Sequence, residues 1–136
     1  MIDGAFYSFV KSLTANVYYG SANSVPAPYF VMYKITDDER PLSLCEAQGD
    51  EGKALFFIEG FKGGQGNASN PLNSLMYVET LKRQIAQKLG IITDGIEEYR
   101  VWHNKTTGVV PIDRGKNEVS FFGAQFTVLL YWTKII

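Results

Sequence analysis

From Phe122 to Trp132 every even-numbered residue is apolar: Phe122, Ala124, Phe126, Val128, Leu130 and Trp132. Successive side chains of a strand leave opposite sides of the backbone, so this alternation specifies one long β-strand with one face in a dry core. That face has to be covered. On the other side stand Phe121, Gly123, Gln125, Thr127, Leu129, Tyr131 and Thr133. A glycine inside such a strand, here Gly123, marks a bulge or a close approach of another group to the backbone.

The segment Asn70–Gly90 supplies the cover. Asn70 suits an N-cap, Pro71 fits the first helical position where no N–H is needed, and Gly90 suits a left-handed residue past the end. Leu72, Leu75, Val78, Leu81, Ile85 and Leu89 recur at spacings of three and four and predict one buried face. The acid Glu79 precedes the bases Lys82, Arg83 and Lys88, the order a helix dipole favours. A second, shorter helix is predicted at the start, with Asp3 as its cap and Phe6, Phe9, Val10 and Leu13 on one side, ending near Thr14 to Asn16.

Between these lie strand signals. Asn16-Val17-Tyr18-Tyr19-Gly20 is short and rich in strand formers, and Ser21–Pro28 is a connection. Tyr29–Thr36 and Ala54–Phe61 read as strands apolar on both faces, and Glu98–Thr106 as a strand with Tyr99, Val101 and His103 opposite Arg100, Trp102 and Asn104. Asp37–Lys53 is either a long exposed hairpin arm or a mobile loop, and Lys62–Ser69 and Thr107–Asn117 are links. The order predicts a single α+β domain over residues 1–136: an antiparallel, mostly four-stranded sheet with both helices on one face, plus long loops or a hairpin arm. Covering one face leaves Phe56, Tyr33, Phe121 and their neighbours on the other against water, depending on register. A monomer rarely keeps such a patch, which points to self-association.

The totals exclude several functions. With 13 basic and 14 acidic residues the formal net charge is −1, which gives no reason to expect nucleic-acid binding. Cys45 is the only cysteine, so no intrachain disulfide is possible and a reducing compartment is expected. No basic region precedes an apolar run at the start, and no apolar stretch reaches the roughly 20 residues of a membrane helix, so a soluble chain with no membrane partner is expected.

Little catalytic chemistry is signalled. His103 and Cys45 form a nucleophile pair only if the fold joins them, and no motif surrounds either. One histidine and one cysteine do not build a tetrahedral metal site, and the acidic loop lacks EF-hand spacing. Gly63-Gly64-Gln65-Gly66-Asn67 precedes a helix but lacks the following Gly-Lys-Ser/Thr of a P-loop, and reads as a flexible linker. No cofactor, metal or catalytic residue is expected.

The passage Val17-Tyr18-Tyr19-Gly20, a proline-containing link, Pro28-Tyr29-Phe30-Val31-Met32-Tyr33, a long loop, an aromatic strand and then the helix of Leu-x-x-Leu spacing resembles the small tail-terminator and tail-completion proteins of long-tailed bacteriophages. The resemblance covers most of the chain. It implies a structural protein without an active site that forms a homohexameric ring at the head-proximal end of the tail tube, stops tube polymerisation and presents a surface for head–tail joining. Its implied partners are further copies of itself, the major tail tube protein and a head completion or connector protein, with DNA passing through the ring without sequence-specific binding. The implied location is the virion tail, and the host cytoplasm during assembly.

Under that resemblance the contact residues are Asp37, Asp38, Glu39, Arg40, Glu46, Asp50 and Glu51 in an acidic arm, Lys82, Arg83 and Lys88 on the long helix, and Arg114 and Lys116 in a second contact loop within Lys105–Asn117. The helix bases are expected to meet a neighbour's acidic loop. Two rival readings stand beside this one: a head-side neck protein of the same particle, and a small cytoplasmic enzyme or ligand-binding domain using His103 and a cleft beneath the long loop. Deleting Asp38–Gly52 is expected to leave a folded domain that no longer binds tail tubes.

Overall fold

The computed structural model describes residues 1–22, 28–40, 51–62, 71–115 and 121–135, with Glu39 and Arg40 described in backbone alone. In chain order the elements are α1 (Ile2–Leu13), β1 (Val17–Tyr19), β2 (Tyr29–Arg40), β3 (Glu51–Phe61), α2 (Pro71–Ala86), β4 (Gly90–Thr93), β5 (Glu98–Thr106), β6 (Val110–Asp113) and β7 (Phe122–Lys134). The strands form one sheet in the order β1-β2-β3-β7-β5-β4, with β6 also paired to β7. β5 and β6 both run antiparallel to β7, against Val128–Lys134 and Phe122–Gln125 respectively, so they lie end to end along the same side of it.

The fold is α+β as expected, but among the described residues the sheet has seven strands and is mixed, which corrects the mostly four-stranded antiparallel expectation. β1, β4 and β6 are three or four residues long, too short to show an alternation, and β6 contains Pro111. β1 pairs parallel with β2 because the chain after Gly20, itself at φ +90°, returns to the start of β1 before Tyr29 begins. β2 and β3 extend past their expected ends and pair as far as Arg40 opposite Glu51, so the flanks of the acidic segment are strand.

β7 behaves as its alternation requires. Ala124, Phe126, Val128, Leu130 and Trp132 are buried and join Phe30, Met32, Phe56, Ile58, Tyr99 and Val101 of the other strands in one core. Both helices cover this face, α1 through Ile2, Ala5, Phe6 and Val10, and α2 through Val78, Leu81 and Ile85. Phe56 therefore lies in the core against Phe6, ring centroids 4.4 Å apart, and not on the water side. The stripe of α2 is rotated from the expected one: Ser74 is buried, while Leu72 and Leu89 are exposed.

Two glycines permit close approaches, of α2 at Gly60 and of the Phe61 ring at Gly123. A Cβ at Gly60 would come within 2.7 Å of the Phe30 ring and of Val78 on α2. At Gly123 it would come within 2.5 Å of the Phe61 ring, which is the close approach its place in the strand signals. Ser74 Oγ accepts the N–H of Lys62 (3.0 Å) and donates to the carbonyl of Phe122 (3.0 Å), tying the helix to the ends of two strands.

The helix ends differ from expectation. α1 has no side-chain cap; Asp3 sits in its first turn, where Lys34 Nζ lies 2.7 Å and Tyr19 OH 2.6 Å from its carboxylate. α2 stops at Ala86, four residues before Gly90, which does take a positive φ of +99° but as the first residue of β4. The carbonyls of Ile85 and Lys88 instead accept Nδ2 of Asn104 at 2.8 and 3.1 Å. Asn104 reaches them because the β5–β7 register shifts between Val101 and His103, which moves later residues of β5 to the opposite face from that expected. The capping expected at Asn70 and the linker Gly63–Asn67 fall outside the described residues.

Ser74→Ala leaves the part-buried Lys62 N–H without its acceptor and the Phe122 carbonyl without its donor, and is expected to cost about 1–3 kcal/mol. Thermal unfolding followed by circular dichroism should show a midpoint lower by several degrees with the native spectrum retained.

Candidate interaction surface

Among the described residues, none forms a layer over the side of the sheet away from the helices. Its upper part forms a small second cluster, in which Tyr29, Val31 and Phe61 pack with Tyr18, Ile112 and Phe121. Phe61 stacks on Phe121 with centroids 4.8 Å apart, so Phe121 is half-buried there. The lower part is open. Tyr33 packs on Phe57 at 5.0 Å, and Tyr131 receives both Trp102 (5.1 Å, edge-on) and His103 (5.0 Å). Tyr33, Ile35 and Trp102 remain 39%, 45% and 55% exposed.

At the lower end this face dips into a cleft of about 150 Å³ lined by Asp38, Glu51, Gly52, Lys53, Trp102, Tyr131 and Trp132. Pairing explains its composition. Asp38 lies opposite Lys53, and Lys53 opposite Tyr131, so these three side chains share the open face, while the register shift in β5 turns Trp102 over the rim. The Asp38 and Glu51 carboxylates and the Lys53 ammonium stand on the rim, and Trp102, Tyr131 and Trp132 wall it. Such a cleft suits a cation bearing flat or apolar groups, through carboxylate hydrogen bonds and ring faces.

The residues expected to make contacts separate into distinct groups. Asp37 does not face outward: its carboxylate lies 2.6 Å from Lys34 Nζ, whose other partner is Asp3 on α1. Its side follows from the register shift between Lys34 and Thr36, which brings both residues to the helix side of the sheet. Asp38 and Glu51 line the cleft. Glu39 and Arg40 are paired residues of β2, whereas Glu46, Asp50 and Lys116 fall outside the described residues, as does Cys45. Arg114 bonds Glu59 across the sheet at 2.8 Å. The expected second contact loop is partly strand, since Lys105 and Thr106 belong to β5 and Val110–Asp113 to β6.

The three bases expected on the long helix are not equivalent, and Lys88 lies two residues past the end of α2. Lys88 Nζ lies over the Phe9 ring at 5.3 Å, and Lys82 is mostly covered, with Glu79 at 3.9 Å. Arg83 projects, its side chain 76% exposed and 3.5 Å from Glu79. An exposed pair of this kind contributes about 0–1 kcal/mol, too little to hold the guanidinium on its own helix. On the same outward stripe Met76 and Leu72 are 60% and 55% exposed. Sequence periodicity misses this stripe because it assigns Leu72 to the core and treats Met76 as neutral.

Among the described residues there is no cluster of three or more possible metal ligands, and no helix long and apolar enough to cross a membrane. No protein-family profile and no curated protein matches the chain. A solved structure similar in outline is 13% identical over 97% of this chain and 89% of its own, with a TM-score of 0.45, a level at which it carries no argument about fold or function.

Electrostatics around Asp37 yield a pH dependence. Burial pushes the Asp3 carboxyl up, but the bonds from Lys34 and Tyr19 outweigh it and hold the group below its ordinary range. Burial pushes Lys34 down, and Asp3 and Asp37 together hold it above its ordinary value. The Asp3 contribution to stability is therefore present above the unfolded carboxylate value of about 4 and lost as pH falls through the lowered folded value. The Lys34 contribution is present below about 10.4 and lost as pH rises beyond it. Asp3→Asn is expected to lower the urea midpoint at pH 7, with the gap to the parent closing as pH falls below 4; a gap independent of pH would contradict the assignment.

Proposed function

We propose that this chain is a structural assembly protein of the tail-terminator class, which forms a ring at the head-proximal end of a phage tail tube, halts tube growth and offers the surface to which the head joins. The observation that carries this reading is the lower half of the sheet's outer face, where Tyr33, Ile35 and Trp102 are exposed and the described residues form no second layer. A face of that kind suits a subunit that completes its core against a neighbour. The sequence resemblance supplies the identity of the assembly, and the acidic segment around the β2–β3 hairpin supplies an element for contact with the tube.

The partners under this reading are further copies of the chain, the tube subunit and a head-side connector protein. Sequence-independent passage of DNA agrees with the formal net charge of −1, which gives little attraction for phosphates.

The described strands refine the deletion that tests it. Residues 38–40 and 51–52 are paired, and Gly52 lies opposite Trp132, so the cut has to be confined to residues 41–50, with Arg40 joined to Glu51 by Asn-Gly. In a mixture with polymerising tube subunits the parent chain is expected to shorten tubes seen by electron microscopy and to decorate one end. The deletion should keep its fold and lose that effect. Tubes of unchanged length with the parent chain would remove the proposal.

A further inference from the structure

We infer that the exposed stripe of α2 in one copy of this chain seats on the open sheet face of the next, with Arg83 entering the cleft between Trp102, Tyr131 and Asp38. The inference rests on the assembly reading above and names the surface and the partner that it requires.

Three observations converge on that pairing. The first is chemical. The cleft offers aromatic walls and the Asp38 carboxylate on its rim, and Arg83 is the base of α2 whose side chain is 76% exposed. A guanidinium stacks on rings and bonds a carboxylate at the same time, which an ammonium does less well.

The second is dimensional. Leu72 to Arg83 spans ~16 Å along a helix axis at 1.5 Å per residue. On the sheet, Phe57 pairs with Thr127, and Tyr131 is four residues further along β7, next to β5. Two strand spacings of ~4.8 Å and four residues of ~3.3 Å put the Trp102 corner ~16 Å from Phe57. A helix laid diagonally across the open face therefore sets Met76 and Leu72 over the Tyr33–Phe57 pair as Arg83 reaches the cleft.

The third is topological. The two patches lie on opposite layers, one on the solvent side of the helices and one on the bare side of the sheet. A two-fold contact sets a patch against itself and leaves the other in water. A head-to-tail contact covers both, and it closes into a ring when its rotation divides a full turn.

Two surface variants test the pairing: a helix variant, Met76→Asp with Arg83→Glu, and a sheet variant, Tyr33→Asp with Trp102→Asp. Each should retain the parent's circular dichroism spectrum. The parent should form a multi-subunit species in light scattering, and each variant alone should lose it, with self-association weakened at least about 30-fold, the loss expected from a central interface residue. An equimolar mixture should give a 1:1 heterodimer and nothing larger, because one intact helix patch and one intact sheet patch remain to be joined. Folded variants that still assemble like the parent, or a mixture without heterodimer, would overturn this pairing and leave the ring reading standing. A parent that assembles neither alone nor on tail tubes would remove both. If single exchanges keep the fold and the double ones do not, Arg83→Glu and Trp102→Asp replace them with the same expected outcomes.

Discussion

The antiparallel register between β3 and β7 is what the rest of the molecule depends on. It sets Ala54, Phe56 and Ile58 beside Leu130, Val128 and Phe126 on one face and sends Leu55 and Phe57 with Leu129 to the other. Because side chains alternate with period two, a slip of one residue would exchange the two faces and place the phenylalanines under water and the polar residues under the helices. Each of the larger ones, Phe56, Ile58, Phe126, Val128 and Leu130, contributes about 1.5–3 kcal/mol when buried, so the register is strongly fixed. Gly60 and Gly123, on neighbouring strands, then decide how closely α2 and the Phe61 ring can approach.

What was legible in the sequence follows from the length of each signal. β7, α1 and α2 are long and periodic, and their types read correctly. β1 was visible as a run of strand formers, but its parallel pairing was not, because direction depends on where the chain returns. β4 and β6 are too short to show a period, and Pro111 masks the second of them. The largest misreadings come from the register shifts. One turns Asp37 towards Lys34 and away from solvent, and the other turns Asn104 under the end of α2 and Trp102 to the rim of the cleft. A bulge adds one residue without any composition that announces it, so every residue beyond it appears on the wrong face. The contact residues suffered accordingly: Asp38, Glu51 and Arg83 border or complement the cleft, whereas Asp37, Lys88 and Arg114 are engaged within the chain.

The sheet's two faces have unequal fates. The inner face has two helices; among the described residues the outer has a small aromatic cluster at one end and no layer over the rest. Protein interfaces of standard size bury about 800 Å² per partner and concentrate their energy in a few aromatic and arginine residues. An open face with Tyr33, Trp102 and Tyr131, and a helix stripe ending in Arg83, have that composition. In the proposed assembly role a chain with little apparent chemistry works by contact made repeatedly, and the β3–β7 register fixes where those contacts stand.

The most direct test of this view is the mass of the unmodified chain in solution, measured by light scattering from micromolar to millimolar concentration with and without tail tubes. A single closed multiple of the 15.2 kDa chain, a hexamer for the ring class it resembles, is the expected result. A monomer under every condition, or a species that grows without limit, would contradict it.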